Sequence, residues 1–208
     1  YFPAMNPVRV MKSFDIKHSV TARYMGLTLP TPPYQVPHYS NLDIQYMSSL
    51  LDRRYGELAV IRGKSPITPK TCQGNSVMDD NVQMRYWSIT TNESLASAKF
   101  VDGAYDEQVP VDDNGLYTIM VCLDKDRPSN ATESNGVKWL DWGKNGDGMG
   151  NLNDGFIIFR HMLPSPGFKH AIQNITKTGD EKKVLGEYFP RIQYMSKVAF
   201  ESLGSQPW

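Results

Sequence analysis

The sequence predicts a mainly all-β fold, an antiparallel β-sandwich of jelly-roll-like type with one or two short helices toward the C-terminus. Three features carry that expectation. Apolar runs too short for ordinary helices recur at 55–64, 83–90, 114–123, 136–143 and 154–164. Tight-turn residues separate them. Helical periodicity is sparse and confined to the last quarter of the chain.

Residues 1–40 hold six of the 14 prolines, clearest in Leu-Pro-Thr-Pro-Pro-Tyr-Gln-Val-Pro at 29–37. Such a run favours polyproline II and cannot supply interior ladder hydrogen bonds. It reads as an extended arm, ahead of a β-sandwich domain with a helical tail over 41–208. Leu58-Ala-Val-Ile61 is apolar without alternation, as in a strand buried on both faces. In 116–123, Tyr117, Ile119, Val121 and Leu123 form one face and Leu116, Thr118, Met120 and Cys122 the other. Both faces can be buried, which places that strand centrally. Asp112-Asp-Asn-Gly115 signals a tight turn before it, because Asn-Gly readily takes positive φ. Asp154-Gly155 reads as a second such turn before Phe156. Ser165-Pro166 reads as a helix start, with Phe168, Ile172 and Ile175 on one face. Ile192, Met195, Ala199 and Leu203 share a face of a second helix, stopped by Gly204.

Lys and Arg balance Asp and Glu at 22 each, with no long single-sign run. This argues against nucleic-acid partners and polybasic membrane binding. No apolar stretch approaches the ~18 residues of a membrane span. The chain begins at Tyr1 rather than Met, as expected of a processed form or a fragment. Sequons at Asn92, Asn130 and Asn174 fit a secretory route and N-glycosylation. The two cysteines, Cys72 and Cys122, would close a loop worth ~4 kcal/mol if bridged. Pairing and two free buried thiols are both open readings.

Arg62-Gly-Lys-Ser65 lacks the phosphate-loop glycine, since position 58 is Leu58, and Pro66 and Pro69 spoil the helix that should follow. The loop 145–155 offers Asn145, Asp147, Asn151, Asn153 and Asp154 as oxygen ligands for calcium, without EF-hand spacing. A plain surface loop is the competing reading. His18, His38, His161 and His170 form no metal-site motif, and no metal or other cofactor is expected. If 156–163 is a strand, Arg160 and His161 point to opposite faces and cannot both line one pocket unless the strand bulges there. His161 then reads as a hydrogen-bonded strand histidine. Tyr105-Asp106-Glu107 places two carboxylates together, but adjacent extended residues diverge. A turn, or an ion pair with Arg85 or Arg160, is expected there. Trp139 and Trp142 could stack on sugar rings, although tryptophan in a β-protein more often fills the core. No Gly-x-Ser-x-Gly motif occurs.

The block also carries a family resemblance. Its motifs are Arg-Gly-Lys-x-Pro-x-Thr-Pro-x-Thr (62–71), Gln-x-Arg-Tyr-Trp-Ser (83–88) and Tyr-Asp-x-Gln-Val-Pro (105–110). Arg-Pro-x-Asn-Ala (127–131), Gly-Val-x-Trp-Leu-x-Trp-Gly (136–143) and Met-Leu-Pro with Phe-x-x-Ala-Ile-Gln (162–173) complete them. In these the chain resembles a group of uncharacterised bacterial and fungal proteins, many with export signals. More distantly it is similar to a jelly-roll-like domain of unknown function in bacterial envelope proteins. The resemblance covers roughly half the chain. It implies a β-sandwich and export to the cell envelope or exterior, and it brings no reaction, cofactor or catalytic residue.

Two functions compete at this level. One is an exported module acting by binding or assembly, with the arm 1–40 contacting a protein partner or another copy of the chain. The other is an enzyme or a small-ligand or glycan-binding protein, with a polar site drawn from Arg85, Tyr105, Asp106, Arg160 and His161 or with Trp139 and Trp142 as a glycan platform.

Overall fold

The computed structural model describes residues 4–12, 43–77, 79–94 and 97–205. Two sheets pack face to face as an all-β sandwich. The larger has the order β1-β2-β8-β4-β5, formed by Met11–Lys12, Ile44–Asp52, Asp154–Pro164, Met84–Asn92 and Phe100–Tyr105. Every neighbouring pair in it is antiparallel. The smaller has the order β7-β6-β3-β9, formed by Val137–Asp141, Leu116–Cys122, Leu58–Lys64 and Arg191–Met195. Here β7 runs parallel to β6, a departure from the antiparallel expectation that the long crossover through 123–136 makes feasible.

Strand periodicity builds the core. Met47, Leu51, Trp87, Ile89, Ala104, Ile157 and Phe159 project from the larger sheet and meet Ala59, Ile61, Ile119, Val121 and Leu140 from the smaller. The opposite side chains of the smaller sheet enter a second apolar cluster. Leu58, Val60, Met120, Cys122 and Val137 pack there against Ala131 of the crossover and Phe200 of the C-terminal helix. This second cluster is why 58–61 and 116–122 lack alternation: both of their faces are covered. The turn at 112–115 forms as expected, with Gly115 at φ +73° and its N–H donating to Asp112 O at 2.8 Å.

Three local expectations are corrected. The helix over 165–175 is a chain of turns with one 3-10 turn, Ile172–Asn174. Its backbone groups have other partners: Ile172 N donates to His161 Nδ1 at 3.2 Å, and Asn174 Nδ2 takes the carbonyls of Phe168 and Lys169. The last helix is shorter than expected. Residues 191–195 extend as β9 along β3, and α2 covers only Lys197–Glu201, with Ser196 Oγ accepting Ala199 N–H. Ile192 fits a strand period as well as a helical one, and pairing with β3 decides between them. A helix not foreseen, α1, spans Glu181–Leu185. Finally, Asp154-Gly155 is no turn but the start of β8. An added Cβ at Gly155 would stand 2.6 Å from Trp142 Nε1, so this glycine exists for packing.

Residues 11–12, within the segment expected to be an arm, add an edge strand to the larger sheet, with Met11 opposite Ser48. Lys12 locks it: its N–H donates to Glu181 Oε1 at 3.0 Å and its Nζ to Ile175 O at 2.7 Å. Burial lowers the Lys12 ammonium to about 8, against the opposing pull of Glu181. The proline segment 29–37 lies outside the described residues.

Replacing Gly155 by alanine is expected to destabilise the fold by about 2 kcal/mol, read as urea-unfolding free energy, because the new methyl meets an immobile indole. Gly167→Ala, where nothing stands within 4 Å, serves as the control and should shift stability by less than about 0.5 kcal/mol.

Candidate functional site

A groove opens where the segment after β3 folds back beside the start of β4 and the end of β5. Pro66 and Pro69 interrupt the ladder, and the segment rejoins β4 through Gln83 N to Ile67 O at 2.8 Å. It then turns over Thr71–Gln73, closed by Gly74 at φ +86°. On the facing wall, β5 ends at Tyr105 and a 3-10 turn covers Asp106–Gln108. Glu107 ties the two walls together. Its Oε1 accepts from Thr71 Oγ1 at 2.8 Å and Cys72 N at 3.1 Å, and its Oε2 takes a single contact from Cys72 N at 3.2 Å.

Pro69, Thr71, Cys72, Arg85, Tyr86, Tyr105, Asp106 and Glu107 line a solvent-open cavity of about 280 Å³. Tyr86 and Tyr105 project from the outward face of adjacent strands, and their rings lie 6.4 Å apart at 19°. The exposed Cys72 thiol sits 3.6 Å from Tyr105 Oη. That contact is the main reason the Tyr105 phenol lies above its ordinary range. Burial pushes Asp106 up, with Thr68 and Lys70 partly offsetting it. Burial also acts to raise Glu107, but the hydrogen bonds from Thr71 and Cys72 outweigh it and leave the carboxyl low. The groove thus presents an ionised acceptor, a cationic donor, a thiol and two aromatic rings.

Of the five polar candidates read from the sequence, three meet here: Arg85, Tyr105 and Asp106. The other two do not line the groove. Arg160 shares the outward cross-strand row Tyr46–Arg160–Ser88–Tyr105, which puts it two strands, about 10 Å, from Tyr105. Its guanidinium lies over Tyr46, 5.2 Å from the ring centre. His161 points into the core. Its Nδ1 accepts from Ile172 N, so the ring proton sits on Nε2, and burial drives its pKa down to about 3. Sequence reasoning missed Tyr86 and Cys72 as members of one site. Tyr86 lies in the motif 83–88, which carries a family resemblance and no assigned role, and Cys72 reads from the sequence as a disulfide partner or a free buried thiol, whereas it is exposed.

The remaining candidates have other roles. Both thiols are free: Cys72 is exposed, whereas Cys122 is buried in β6 with its thiol pushed to about 12, chiefly by burial. The two cysteines are therefore not bridged. Trp142 is 1 % exposed and cannot offer a face to a sugar. Arg127 covers Trp139 from 4.7 Å, the guanidinium-on-indole packing that the motif composition favours. In the 145–155 loop, Asp147 accepts from Met149 N, Asn151 N and Asn151 Nδ2. Asn145 Nδ2 donates to Glu93, and Asn153 O accepts from Arg53 N. No three His, Cys, Asp or Glu side chains are grouped to hold a metal ion among the described residues. The sequon amides donate to backbone carbonyls: Asn92 to Ala98, Asn130 to Phe200 and Gly204, Asn174 to Phe168 and Lys169. No helix among the described residues is long and apolar enough to cross a membrane.

Asp154 is electrostatically frustrated. Only 8 % exposed, its carboxyl is raised to about 6 by burial first, then by Asp52 and Asp147. The charged form is disfavoured in the folded chain, so its penalty is absent below about pH 4 and grows as pH rises through 6. Asp154→Asn is therefore expected to stabilise the protein at pH 7.5 by up to about 3 kcal/mol, with the gain vanishing near pH 4. Denaturation of both proteins at the two pH values measures it; comparing them at equal pH cancels the opposite trend from His161, whose burial disfavours folding below about pH 6.5.

No family model matches the chain, and no curated protein matches it. Among solved structures, it is similar to a putative uncharacterized protein from Burkholderia cenocepacia, at 12 % identity and a TM-score of 0.46. The match covers 92 % of this chain and 35 % of that one, so the chain spans about a third of that protein's length.

Proposed function

We propose that this chain is a β-sandwich binding module that captures a small polar ligand in the groove between Cys72 and Tyr105. The observation that carries the reading is convergence. Arg85 from β4, Tyr105 from β5 and Asp106 and Glu107 from the following turn line one cavity with Thr71 and Cys72. The space between the sheets is filled by the apolar core, so a concave surface with polar groups is available at the rim. Catalysis is not part of this reading, since binding needs only the acceptors, donors and rings already aligned.

In this reading the module is exported, a view supported by the motifs it shares with proteins that carry export signals. Asn174 is the exposed sequon asparagine, whereas Asn92 is buried and Asn130 half-buried, so a glycan is expected at Asn174 ahead of the others. Assembly through the arm is a further part of the proposal, supported by the way residues 11–12 take the edge of the larger sheet by strand pairing.

Cys72 makes the binding proposal testable. In the native chain a thiol reagent such as Ellman's reagent should modify Cys72 rapidly and Cys122 only on unfolding. A library of small polar metabolites is then screened for compounds that slow Cys72 modification, and a groove ligand is expected to slow it at least about tenfold at saturation. Labelling that no compound in a broad library retards would sink the proposal.

A further inference from the structure

The groove's composition narrows the ligand beyond "small and polar". We infer that it takes an uncharged polyhydroxylated ring of monosaccharide size. This rests on the reading of the groove as a binding site, and three observations carry it further.

The first is size and form. At about 280 Å³ the cavity lies at the lower limit of ligand pockets, which begin near ~300 Å³, and it is open to solvent. A single ring with one edge in water fits such a space; an extended cofactor does not. The second is the platform. Tyr86 and Tyr105, half-buried and nearly parallel with ring centres 6.4 Å apart, bring two aromatic rings to the cavity from paired strands. The ladder puts Ser88 opposite Tyr105, so the backbone holds Tyr86 diagonally across from Tyr105 and limits the ordering that binding needs. Pro69 is the aliphatic residue of the lining, so its apolar part is chiefly the two aromatic rings. The C–H face of a sugar ring matches an aromatic surface while its hydroxyls keep polar partners.

The third observation is charge. Arg85, Asp106 and Glu107 all line the cavity, and Lys70 acts on Asp106. Both signs are present, so the groove has no single field to select an anion or a cation. An ammonium ligand would meet Arg85, and a phosphate would meet the carboxylates. A hydroxyl suits both walls, because it donates to Glu107 and accepts from Arg85. Glu107 already accepts from Thr71 and Cys72, and the lone pairs of its two oxygens leave room for a ligand hydroxyl as well. The structure thereby moves any sugar-binding role from the Trp139–Trp142 segment, where one indole is core and the other is covered by Arg127, to the tyrosine pair.

The test is a heteronuclear NMR titration of the full chain with D-glucose, D-galactose, D-mannose and N-acetyl-D-glucosamine, with glycine betaine and inorganic phosphate as charged comparators. At least one sugar is expected to shift the amides of Cys72, Tyr86 and Tyr105 with a roughly millimolar dissociation constant. Tyr105→Ala should weaken it at least about tenfold, and Tyr105→Phe, which keeps the ring, by less than about threefold. Tyr86→Ala provides a second variant, and each variant's spectrum reports whether it is folded. Shifts caused by betaine or phosphate but by none of the sugars would overturn the ligand class while leaving a binding groove. Sugar-induced shifts confined to other amides would overturn the proposal as well. Silence from every probe, together with Cys72 labelling that no library compound slows, would overturn both the ligand class and the groove as a site.

Discussion

The structure depends on one contact between its two sheets, the seating of Trp142 on Gly155. Trp142 follows β7 of the smaller sheet and Gly155 lies in β8 of the larger, and the indole occupies the space a side chain on residue 155 would fill. Its Nε1–H donates to Asp154 O at 3.0 Å and its backbone N–H to Cys122 O at 3.0 Å, so both polar groups are satisfied in a fully buried setting. Beside it, Thr91 Oγ1 donates to Asp141 O at 2.7 Å and Asp141 N to Asp102 Oδ2 at 2.9 Å, joining β4 and β5 to β7. This clasp closes one side of the sandwich. The other side stays covered by segments, chiefly β1 with its buried Lys12.

Closure has a cost that falls on the carboxylates next to it. Fixing the start of β8 under the indole sets Asp154 opposite Asp52 in the ladder. Asp52 has Arg54 as a bidentate partner, whereas Asp154 has no hydrogen bond to its carboxylate among the described residues. The charge crowding comes with the register that brings the Asp154 carbonyl to Trp142. The same filled interior leaves concave space at the rim, where the groove lies. His161 is neutral and buried, whereas Glu107, in the turn after β5, braces the groove.

Several parts of this arrangement were legible from the residues. The runs at 58–61 and 116–122 announced strands covered on both faces, and they are, because Phe200 and Ala131 shield the outer side. The Asn-Gly turn and the divergence of Arg160 from His161 follow from local backbone rules that tertiary context did not override. Other parts misled for equally local reasons. Asp154-Gly155 has the composition of a turn, but its glycine answers to an indole 13 residues earlier in the chain. Phe168, Ile172 and Ile175 have helical spacing and are buried, yet His161 and Asn174 take the backbone groups that a helix would have used.

By itself, the sequence determined the class of fold, the identity of the central strands and the exclusion of a phosphate loop, since each follows from periodicity or spacing within a few residues. The groove was decided only by tertiary structure. Cys72, Tyr86 and Glu107 are separated by up to 35 positions, and no local pattern links them. They meet because a proline-bounded segment folds back against β4 and Glu107 accepts the N–H of Cys72. The placement of Trp142 over Gly155 was decided in the same way: its residue types were visible in the chain, but the contact between them exists only once two sheets face each other and steric exclusion assigns the space.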